Sequence, residues 1–376
     1  MNNAHRFLTL GAVSLLAACT DVSVLGPAHY EINDPVFSST GSKAHKVTVM
    51  NWNIYIGADV DAVIAALASP DPSDDLPTLL TAIQTLQETD VLARMQAVAR
   101  EIARARPHVV GLQEVSELDI DLTGLGLPVD IHVDFLPILL AALAVEGVNY
   151  TVAAIVTNID ATPLPGVRVV DHDVLLVDAD RVTVNSTVEQ NFTNNIGVVA
   201  PGVALIRGWV SITATIDGES FTFANTHLES GQGAALSALR AAQATELVTA
   251  LGAASPAILM GDLNDLPGSL MHQVISGAGF TDVWGSFHPG AQGLTCCHLP
   301  DLSNQIQDFD QRIDYVFARG VGDPIEGVMG QLKRLGEVPA DRLSGPAHRI
   351  WPSDHAGLVA DLLAPPANAL VAAAGQ

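Results

Sequence analysis

The sequence predicts a layered α/β sandwich, and three features of the chain indicate it. Apolar, β-branched runs typical of strands alternate with single amphipathic segments typical of helices. Several short strands follow one another in the middle of the chain, as in a β-meander. The chain has 376 residues, of which 48% are hydrophobic, so it can bury a sizeable core. An all-helical or all-β body is therefore disfavoured, and no internal repeat is found.

The expected elements follow from local periodicity. The β-branched run at 47–54 predicts the first strand, and residues 59–68 and 78–106 are helical in period, with a Pro- and Asp-rich loop between them. The apolar run at 108–113 predicts a buried strand. The remaining elements expected are a helix at 132–145, strands at 149–157, 168–177, 181–189, 203–207, 209–216 and 220–226, a helix at 234–252, and strands at 257–260, 312–318 and 356–362.

The charge balance limits the class of function. There are 17 Lys and Arg residues against 41 Asp and Glu residues, a formal net charge of −24. This excludes a protein that reads nucleic-acid sequence through a broad basic face. An enzyme that contacts a few phosphates through a metal ion is still allowed. The three cysteines are too few for a disulfide scaffold.

The N-terminus has the features of an export signal. Arg6 precedes an apolar run from Phe7 to Ala18, which is too short to span a membrane but fits a signal peptide. The run ends in Leu-Ala-Ala-Cys, which resembles a bacterial lipobox, so Cys19 is the expected site of lipidation. A plain secretory signal that happens to contain a cysteine is the alternative. We expect a signal peptide at 1–18, a polar tether at 19–45, a folded domain at 46–364 and a low-information tail at 365–376.

Polar side chains occur at the ends of the apolar strands, and this is the strongest functional signal in the chain. Each one alone is also explained as a turn or capping residue. Together they indicate a site that converges on one edge of a sheet, because rigid strand ends hold side chains in fixed positions. The residues are Asn53, Glu114, His227, Asp262, Asn264, Asp354 and His355, with Asp314 inside a further strand.

The motifs around these residues resemble those of the endonuclease/exonuclease/phosphatase superfamily. The six motifs are W-N-I, L-Q-E, T-H-L, G-D-L-N, R-I-D-Y and S-D-H, in this order over about residues 46–363. Each motif is short, but six in order are specific. The resemblance implies a four-layer sandwich in which two mixed β-sheets pack face to face with helices outside. It also implies a divalent-metal-dependent enzyme that hydrolyses a phosphate ester.

The resemblance implies that Asn53 and Glu114 hold the catalytic metal ion. The expected ion is Mg²⁺, with Mn²⁺ or Ca²⁺ as alternatives, because amide and carboxylate oxygens are the ligands of hard cations. Asp354 is either a further metal contact or a partner of Asp262. The metal ion would polarise a phosphoryl oxygen of the substrate.

The resemblance also assigns roles to the other motif residues. Asp262 would orient the attacking water and help to remove its proton. Asn264 would stabilise the developing charge on phosphorus through its amide. His227 and His355 would donate hydrogen bonds to the phosphate from either side, with His355 steered by Asp314.

The chain departs from the family pattern in two respects. An interval of 61 residues separates Asn53 from Glu114, longer than is usual, and the excess at 59–93 is expected as a surface insertion near the site. No loop rich in Arg and Lys is found that would grip a long duplex.

Three other features are expected to be structural. Cys296 and Cys297 are adjacent, and we expect them in a loop away from the site. We do not expect them to form a metal site together with the neighbouring His298. Trp284 and Phe287 are expected to pack against the core, with an exposed aromatic lip as the alternative.

These inferences describe an extracytoplasmic, membrane-anchored, monomeric Mg²⁺-dependent phosphodiesterase of the cell envelope. Two substrate classes stay open: nucleic acid, and a phospholipid headgroup or small organophosphate of the sphingomyelin type. A non-catalytic binding module on the same fold is the alternative function.

Overall fold

The structure is a computed structural model that describes residues 45–321 and 332–364. The expected signal peptide, Cys19, nearly all of the tether and the tail at 365–376 lie outside the described residues. Among the residues that the structure describes, none of the helices combines the length and the apolar character needed to cross a membrane.

The described chain contains seven α-helices and seventeen strands. The helices are α1 Val60–Ala68, α2 Asp75–Glu88, α3 Val91–Ala105, α4 Phe135–Val145, α5 Ala234–Leu251, α6 Leu270–Gly277 and α7 Val283–Phe287. The first ten strands are β1 His45–Asn53, β2 Val109–Asp121, β3 Asp130–Asp134, β4 Tyr150–Leu164, β5 Val167–Asp178, β6 Thr183–Asn191, β7 Gly197–Ala200, β8 Val203–Leu205, β9 Gly208–Ile216 and β10 Glu219–His227. The other strands are β11 Ala257–Asp262, β12 Thr281–Asp282, β13 Asp314–Arg319, β14 Leu332–Leu335, β15 Leu343–Ser344, β16 Arg349–Ile350 and β17 Gly357–Ala364.

Two mixed sheets dominate the fold. The first has the order β14-β17-β1-β2-β5-β4-β8-β7, with β3 paired to β2, and the second has the order β12-β13-β11-β10-β9-β6. In each sheet one central pair is parallel, β1 with β2 and β10 with β11, and its neighbours are antiparallel. β15 and β16 form a separate hairpin.

The sheets pack face to face, and helices cover their outer faces. Val49 and Val109 of the first sheet share one buried cluster with Phe223 and Met260 of the second. Helices α2, α3 and α4 pack on the outside of the first sheet, and α5 and α6 on the outside of the second. Full burial of each large aliphatic or aromatic side chain contributes about 1.5–3 kcal/mol. The four-layer α/β sandwich is thereby confirmed.

The structure differs from the sequence-based prediction at several elements. The helix expected over 78–106 is two helices, because Asp90 adopts a left-handed conformation (φ 41°) and caps α3 by accepting from the Ala93 amide. The helix expected from 132 begins at Phe135, where Asp134 caps it. Strand β3 was missed because it pairs with only one neighbour and is largely exposed.

The aromatic residues of α7 belong to the core. Trp284 and Phe287 pack, partly buried, against the cluster between the two sheets. The Trp284 indole donates to the carbonyl of Ala291 at 3.0 Å. Their positions therefore agree with the expected core packing and not with an exposed aromatic lip.

The register of the strands brings the motif residues together. Asn53, His227 and Asp262 are the last residues of β1, β10 and β11. Asp262 lies opposite His227 on one side and opposite Asp314, the first residue of β13, on the other. One edge of the packed sheets thus collects side chains that are far apart in the sequence.

Candidate active site

Asn53 and Glu114 lie side by side where β1 and β2 run parallel. Glu114 does not follow the end of a strand, as the sequence suggested, because β2 continues to Asp121 through a bulge between Leu112 and Val115. At this bulge Glu114 has a φ of 57°, which turns its side chain toward the end of β1. The Asn53 amide Nδ2 donates to Glu114 Oε1 at 2.8 Å and to Asp262 Oδ2 at 3.0 Å.

The loop after β1 holds the other oxygens of this pair. The backbone amide of Tyr55 donates to Asn53 Oδ1 at 3.0 Å, and that of Ile56 donates to Glu114 Oε2 at 2.7 Å. Asn53 therefore presents its NH₂ group, and not its carbonyl oxygen, to the carboxylates. In this arrangement Asn53 bridges two carboxylates, and its role as a metal ligand stays a prediction.

Asp262 is the most enclosed carboxylate of the site. It is 1% exposed, and its Oδ1 accepts from the backbone amide of Asn264 at 3.0 Å. Burial and the neighbouring charge of Asp314 raise the pKa of Asp262 to about 7, although His355 opposes this shift. Its Oδ2 lies 3.5 Å from His227 Nε2 and 3.8 Å from His355 Nε2. A carboxylate with a pKa near neutrality is suited to accept a proton from water.

His227 and Asn264 form the second part of the site. Asn264 Nδ2 donates to the carbonyl of Leu228 at 3.0 Å and lies 2.9 Å from His227 Nε2. Since the carbonyl can only accept, the NH₂ group faces it, and His227 Nε2 accepts from the same group. Burial and then the charge of Arg207 lower the pKa of His227 well below its ordinary value. His227 is therefore a neutral imidazole with its proton on Nδ1.

His355 is paired with Asp314 through Nδ1, at 2.9 Å from Asp314 Oδ2. Burial alone lowers the pKa of His355, but the carboxylates of Asp314, Asp354 and Asp262 together raise it well above the ordinary value. The backbone around the imidazole is also fixed, since its carbonyl accepts from the Trp52 indole at 3.1 Å. His355 is therefore held as a charged donor with Nε2 directed toward Asp262.

Asp354 lines the cleft beside His355. Its Oδ1 is 4.0 Å from His355 Nε2. Burial, with the nearby charge of Glu114, raises the pKa of Asp354 to about 7, while His355 and Arg94 oppose this shift. Since Asp354 and Glu114 both line the cleft and the charge of Glu114 acts on Asp354, the metal-contact alternative for Asp354 stays open.

The donor set fits a hard divalent cation. Glu114, Asp262 and Asp354 are carboxylates whose pKa values are all raised, first by burial and then by a neighbouring carboxylate. A cation bound near them would offset both effects, and oxygen ligands suit Mg²⁺-like ions. The ligand atoms of Asp262, Asp314 and His355 lie within 4.8 Å of one another, whereas those of Glu114 and Asp354 belong to no such group among the described residues.

The site opens into a cleft of about 460 Å³. The rim of the cleft includes Asp61 and Ile64 of α1, together with Asp59, which caps this helix, and Ala58 before it. The long insertion therefore lies next to the site, as expected. The rim on this side is acidic. The charge of the cleft therefore does not favour a long polyanion.

Two cleft residues were missed in the sequence. Arg207, just before β9, is the one Arg or Lys side chain lining the cleft among residues 45–321 and 332–364, and its Nε lies 3.5 Å from Glu229 Oε1. Burial lowers the pKa of Arg207, but the charges of Glu229 and Asp171 outweigh this effect and raise the pKa above its ordinary value. The guanidinium therefore stays charged. Asp171 also lines the cleft and accepts from Ser116 Oγ at 2.9 Å. Its position inside the apolar strand β5 was a signal available in the sequence.

The adjacent cysteines do not lie away from the site, and that expectation was wrong. Both line the cleft, and Cys297 Sγ is 3.9 Å from His355 Nε2. The reason is long-range pairing, because Cys296 forms isolated β-bridges with Gln311 and with His355. His298 also lines the cleft and stacks on Trp351, with ring centroids 4.2 Å apart.

Comparisons with known proteins agree with this architecture. A family model described as Endonuclease/Exonuclease/phosphatase family matches residues 50–355. An endonuclease/exonuclease/phosphatase from Beutenbergia cavernae is 20% identical with a TM-score of 0.54, over 86% of this chain and 72% of that chain. A protein of this family from Bacteroides thetaiotaomicron is 16% identical with a TM-score of 0.54, over 86% and 99%. The human Nocturnin catalytic domain is 17% identical with a TM-score of 0.48, over 84% and 93%. No curated protein sequence shows a significant match.

Proposed function

Because the chain belongs to the endonuclease/exonuclease/phosphatase family, whose members generally hydrolyse phosphoester bonds with divalent metal ions, we propose that it is an Mg²⁺-dependent phosphodiesterase. The observation that carries the proposal is the position of Asp262, whose Oδ2 is within 4 Å of Asn53, His227 and His355 at the floor of an open cleft. A non-catalytic binding module has no need for a buried carboxylate held among these groups.

Each side chain has a role that follows from its surroundings. Asp262 takes the proton of the attacking water, since its pKa is near neutrality. His355, kept charged by Asp314, donates from Nε2 to the phosphoryl oxygen that gains charge. The neutral His227 orients Asn264, whose backbone amide in turn orients Asp262.

Glu114 and Asp354 are the residues that would hold the divalent ion, with Asn53 fixing Glu114 beside them. When bound, the ion supplies Lewis-acid polarisation of a phosphoryl oxygen. Mg²⁺ is proposed first, because the donors are oxygens, and Mn²⁺ or Ca²⁺ are the alternatives.

We infer that the substrate is a small phosphodiester or a phospholipid headgroup. Arg207 offers one fixed positive charge beside the reacting groups, whereas Asp59 and Asp61 make the outer rim negative. One charge beside one phosphate suits a compact substrate, and an acidic rim opposes a long polyanion. Attachment of a lipid at Cys19 would place the cleft near lipid headgroups outside the cytoplasm.

The test is a parallel assay of the purified protein with Mg²⁺ against bis-p-nitrophenyl phosphate, sphingomyelin vesicles and supercoiled plasmid. We expect turnover of the first two and little nicking of plasmid, with all activity lost in EDTA and restored by Mg²⁺. Preferred cleavage of plasmid would refute the substrate assignment. No turnover of any substrate would favour the binding module.

Two variants test the roles on the best substrate. Asp262→Asn and His355→Ala should each lower kcat by about a hundredfold or more, and the double variant should be little worse than the poorer single one. Asp130→Asn, on the exposed strand β3, is the matched control and should keep full activity. Retention of more than half the wild-type kcat by either single variant contradicts its role.

A further inference from the structure

The cysteine pair at the cleft wall has no part in the proposed hydrolysis, yet it touches a residue that does. Cys296 is 1% exposed and is anchored on both sides, with its amide donating to the Gln311 carbonyl at 3.1 Å. The amide of Ala356, next to His355, donates to the carbonyl of Thr295 at 2.8 Å. The two cysteines are therefore held in fixed positions relative to the His355 imidazole.

The three side chains lie close enough together to reach one metal ion once the disulfide is reduced. The Sγ atoms of Cys296 and Cys297 and a ring nitrogen of His355 all lie within 4.8 Å of one another. Tetrahedral Zn²⁺, with bonds of about 2.3 Å to sulfur and about 2.0 Å to nitrogen, places such ligands about 3.6 Å apart. The 3.9 Å between Cys297 Sγ and His355 Nε2 is within a few tenths of this value.

The ring nitrogen of His355 that faces away from the cysteines, Nδ1, has the carboxylate partner that is usual for a metal-binding histidine. A histidine that binds a metal ion through one nitrogen usually donates from the other to a carboxylate, which fixes the ring. Asp314 does this at His355 Nδ1 and leaves Nε2 facing the cysteines. Asp262 Oδ2, 3.8 Å from Nε2, is within reach as a fourth ligand.

We propose that Cys296, Cys297 and His355 form, in the dithiol state, a binding site for a soft divalent cation such as Zn²⁺, distinct from Glu114 and Asp354, which would hold the hydrolytic metal ion. Thiolate and imidazole select Zn²⁺ over Mg²⁺, whereas Glu114 and Asp354 do the reverse. The bound ion would occupy His355 Nε2 and so stop hydrolysis.

The site depends on the redox state of the pair, which the structure shows as a disulfide between adjacent residues. A phosphine together with one water molecule, or a dithiol alone, supplies two electrons and two protons, so the S–S bond breaks to give two thiols. The phosphine takes the oxygen of the water to become phosphine oxide, and the dithiol becomes a disulfide. Zn²⁺ then displaces to solvent the two thiol protons and the Nε2 proton of the charged His355, and no electron moves in that step. The oxidised pair has no thiolate and should not bind the ion.

The test uses Co²⁺ as a spectroscopic probe on the full chain, reduced with a phosphine, desalted without oxygen and kept in excess Mg²⁺. Reduced protein should show a near-ultraviolet thiolate-to-cobalt band that saturates at one equivalent and is discharged by Zn²⁺. Oxidised protein should show none. Thiol titration before the measurement confirms that the pair is reduced.

Variants assign the band to these residues. Cys296→Ser and Cys297→Ser should each abolish the band, and His355→Ala should weaken Co²⁺ binding at least tenfold. Cys19→Ala, which removes the third cysteine of the chain, is the matched control and should keep the band. A band in the double serine variant, no band in the reduced wild type, or a pair that resists reduction would each overturn the proposal. Because the readout is binding, it does not depend on whether the phosphodiesterase assignment holds.

Discussion

Replacing Asp314 with asparagine should remove the charge that keeps His355 protonated while leaving the shape of the pair nearly unchanged. Asp314 is 1% exposed, and its Oδ2 accepts from His355 Nδ1 at 2.9 Å. In the wild-type protein this carboxylate is the first of three that raise the pKa of His355 against the effect of burial. Without it, only Asp354 and Asp262 oppose the effect of burial, so the pKa of His355 should fall.

The magnitude follows from the separation of the charges. Two unit charges about 4 Å apart interact by about 4 kcal/mol at an effective dielectric constant of about 20. This corresponds to about three pKa units, and exposure of the cleft to solvent reduces it. We therefore expect the alkaline limb of the kcat profile to move at least one unit to lower pH, and kcat at its optimum to fall by about 10²–10³.

The assay is the pH dependence of kcat and KM in saturating Mg²⁺ for wild type and Asp314→Asn. KM should change less than kcat, because the interaction strengthens as charge develops on the phosphate. The control is Asp178→Asn, which removes a buried aspartate paired with Arg106 outside the cleft and should leave the profile in place. An Asp314→Asn variant with kcat within fivefold of wild type and an unmoved alkaline limb would refute the pairing argument.

Three further changes test other parts of the molecule. Gly261→Ala should destabilise the protein by about 1–3 kcal/mol and lower kcat, because a Cβ at this position would lie 2.2 Å from the Thr226 carbonyl oxygen. Gly277→Ala is the control, since a Cβ there meets nothing within 4 Å. Equal melting curves for the two variants would contradict this prediction. Burial lowers the pKa of His298 to about 3, so the unfolded chain binds its proton first, and stability should fall below pH 6.5, by up to about 2 kcal/mol at pH 5. His298→Gln should show a smaller loss between pH 7 and 5 in urea unfolding, and an unchanged loss would exclude this residue as the cause. Arg207→Met should raise KM for bis-p-nitrophenyl phosphate at least tenfold, and an unchanged KM would remove Arg207 from substrate binding.

The convergence of the motif residues could be predicted because it depends on local features. Parallel strands end at the same edge of a sheet. The positions of Asn53 on β1, and of His227 and Asp262 on β10 and β11, could therefore be predicted from the strand boundaries alone. The position of Glu114 was predicted for the wrong reason, since it comes from a bulge inside β2 and not from a strand end. A bulge of this kind has no reliable signature in one sequence.

The features that were missed depend on tertiary packing. Arg207 reaches the cleft because β9 lies beside β10 in the second sheet, and nothing in the residues around it distinguishes it from the other arginines. Cys296 lies beside His355 through a bridge between segments 59 residues apart, which periodicity cannot detect. The break between α2 and α3 depends on a left-handed Asp90, which local helix propensity does not favour.

The two histidines of the site show how packing assigns chemistry that the motifs leave open. His227 and His355 each follow a short polar motif, and the sequence treats both as donors to the phosphate. In the structure His227 faces Arg207 and accepts a hydrogen bond at Nε2, and burial and the nearby charge lower its pKa. His355 instead faces Asp314, which outweighs the same burial and keeps it charged. Since both imidazoles lie within 4 Å of Asp262 Oδ2, one carboxylate has a neutral acceptor on one side and a charged donor on the other. In the proposed hydrolysis, that asymmetry would let Asp262 accept the proton of water while His355 donates to the phosphate, a division of roles that two equivalent histidines would not provide.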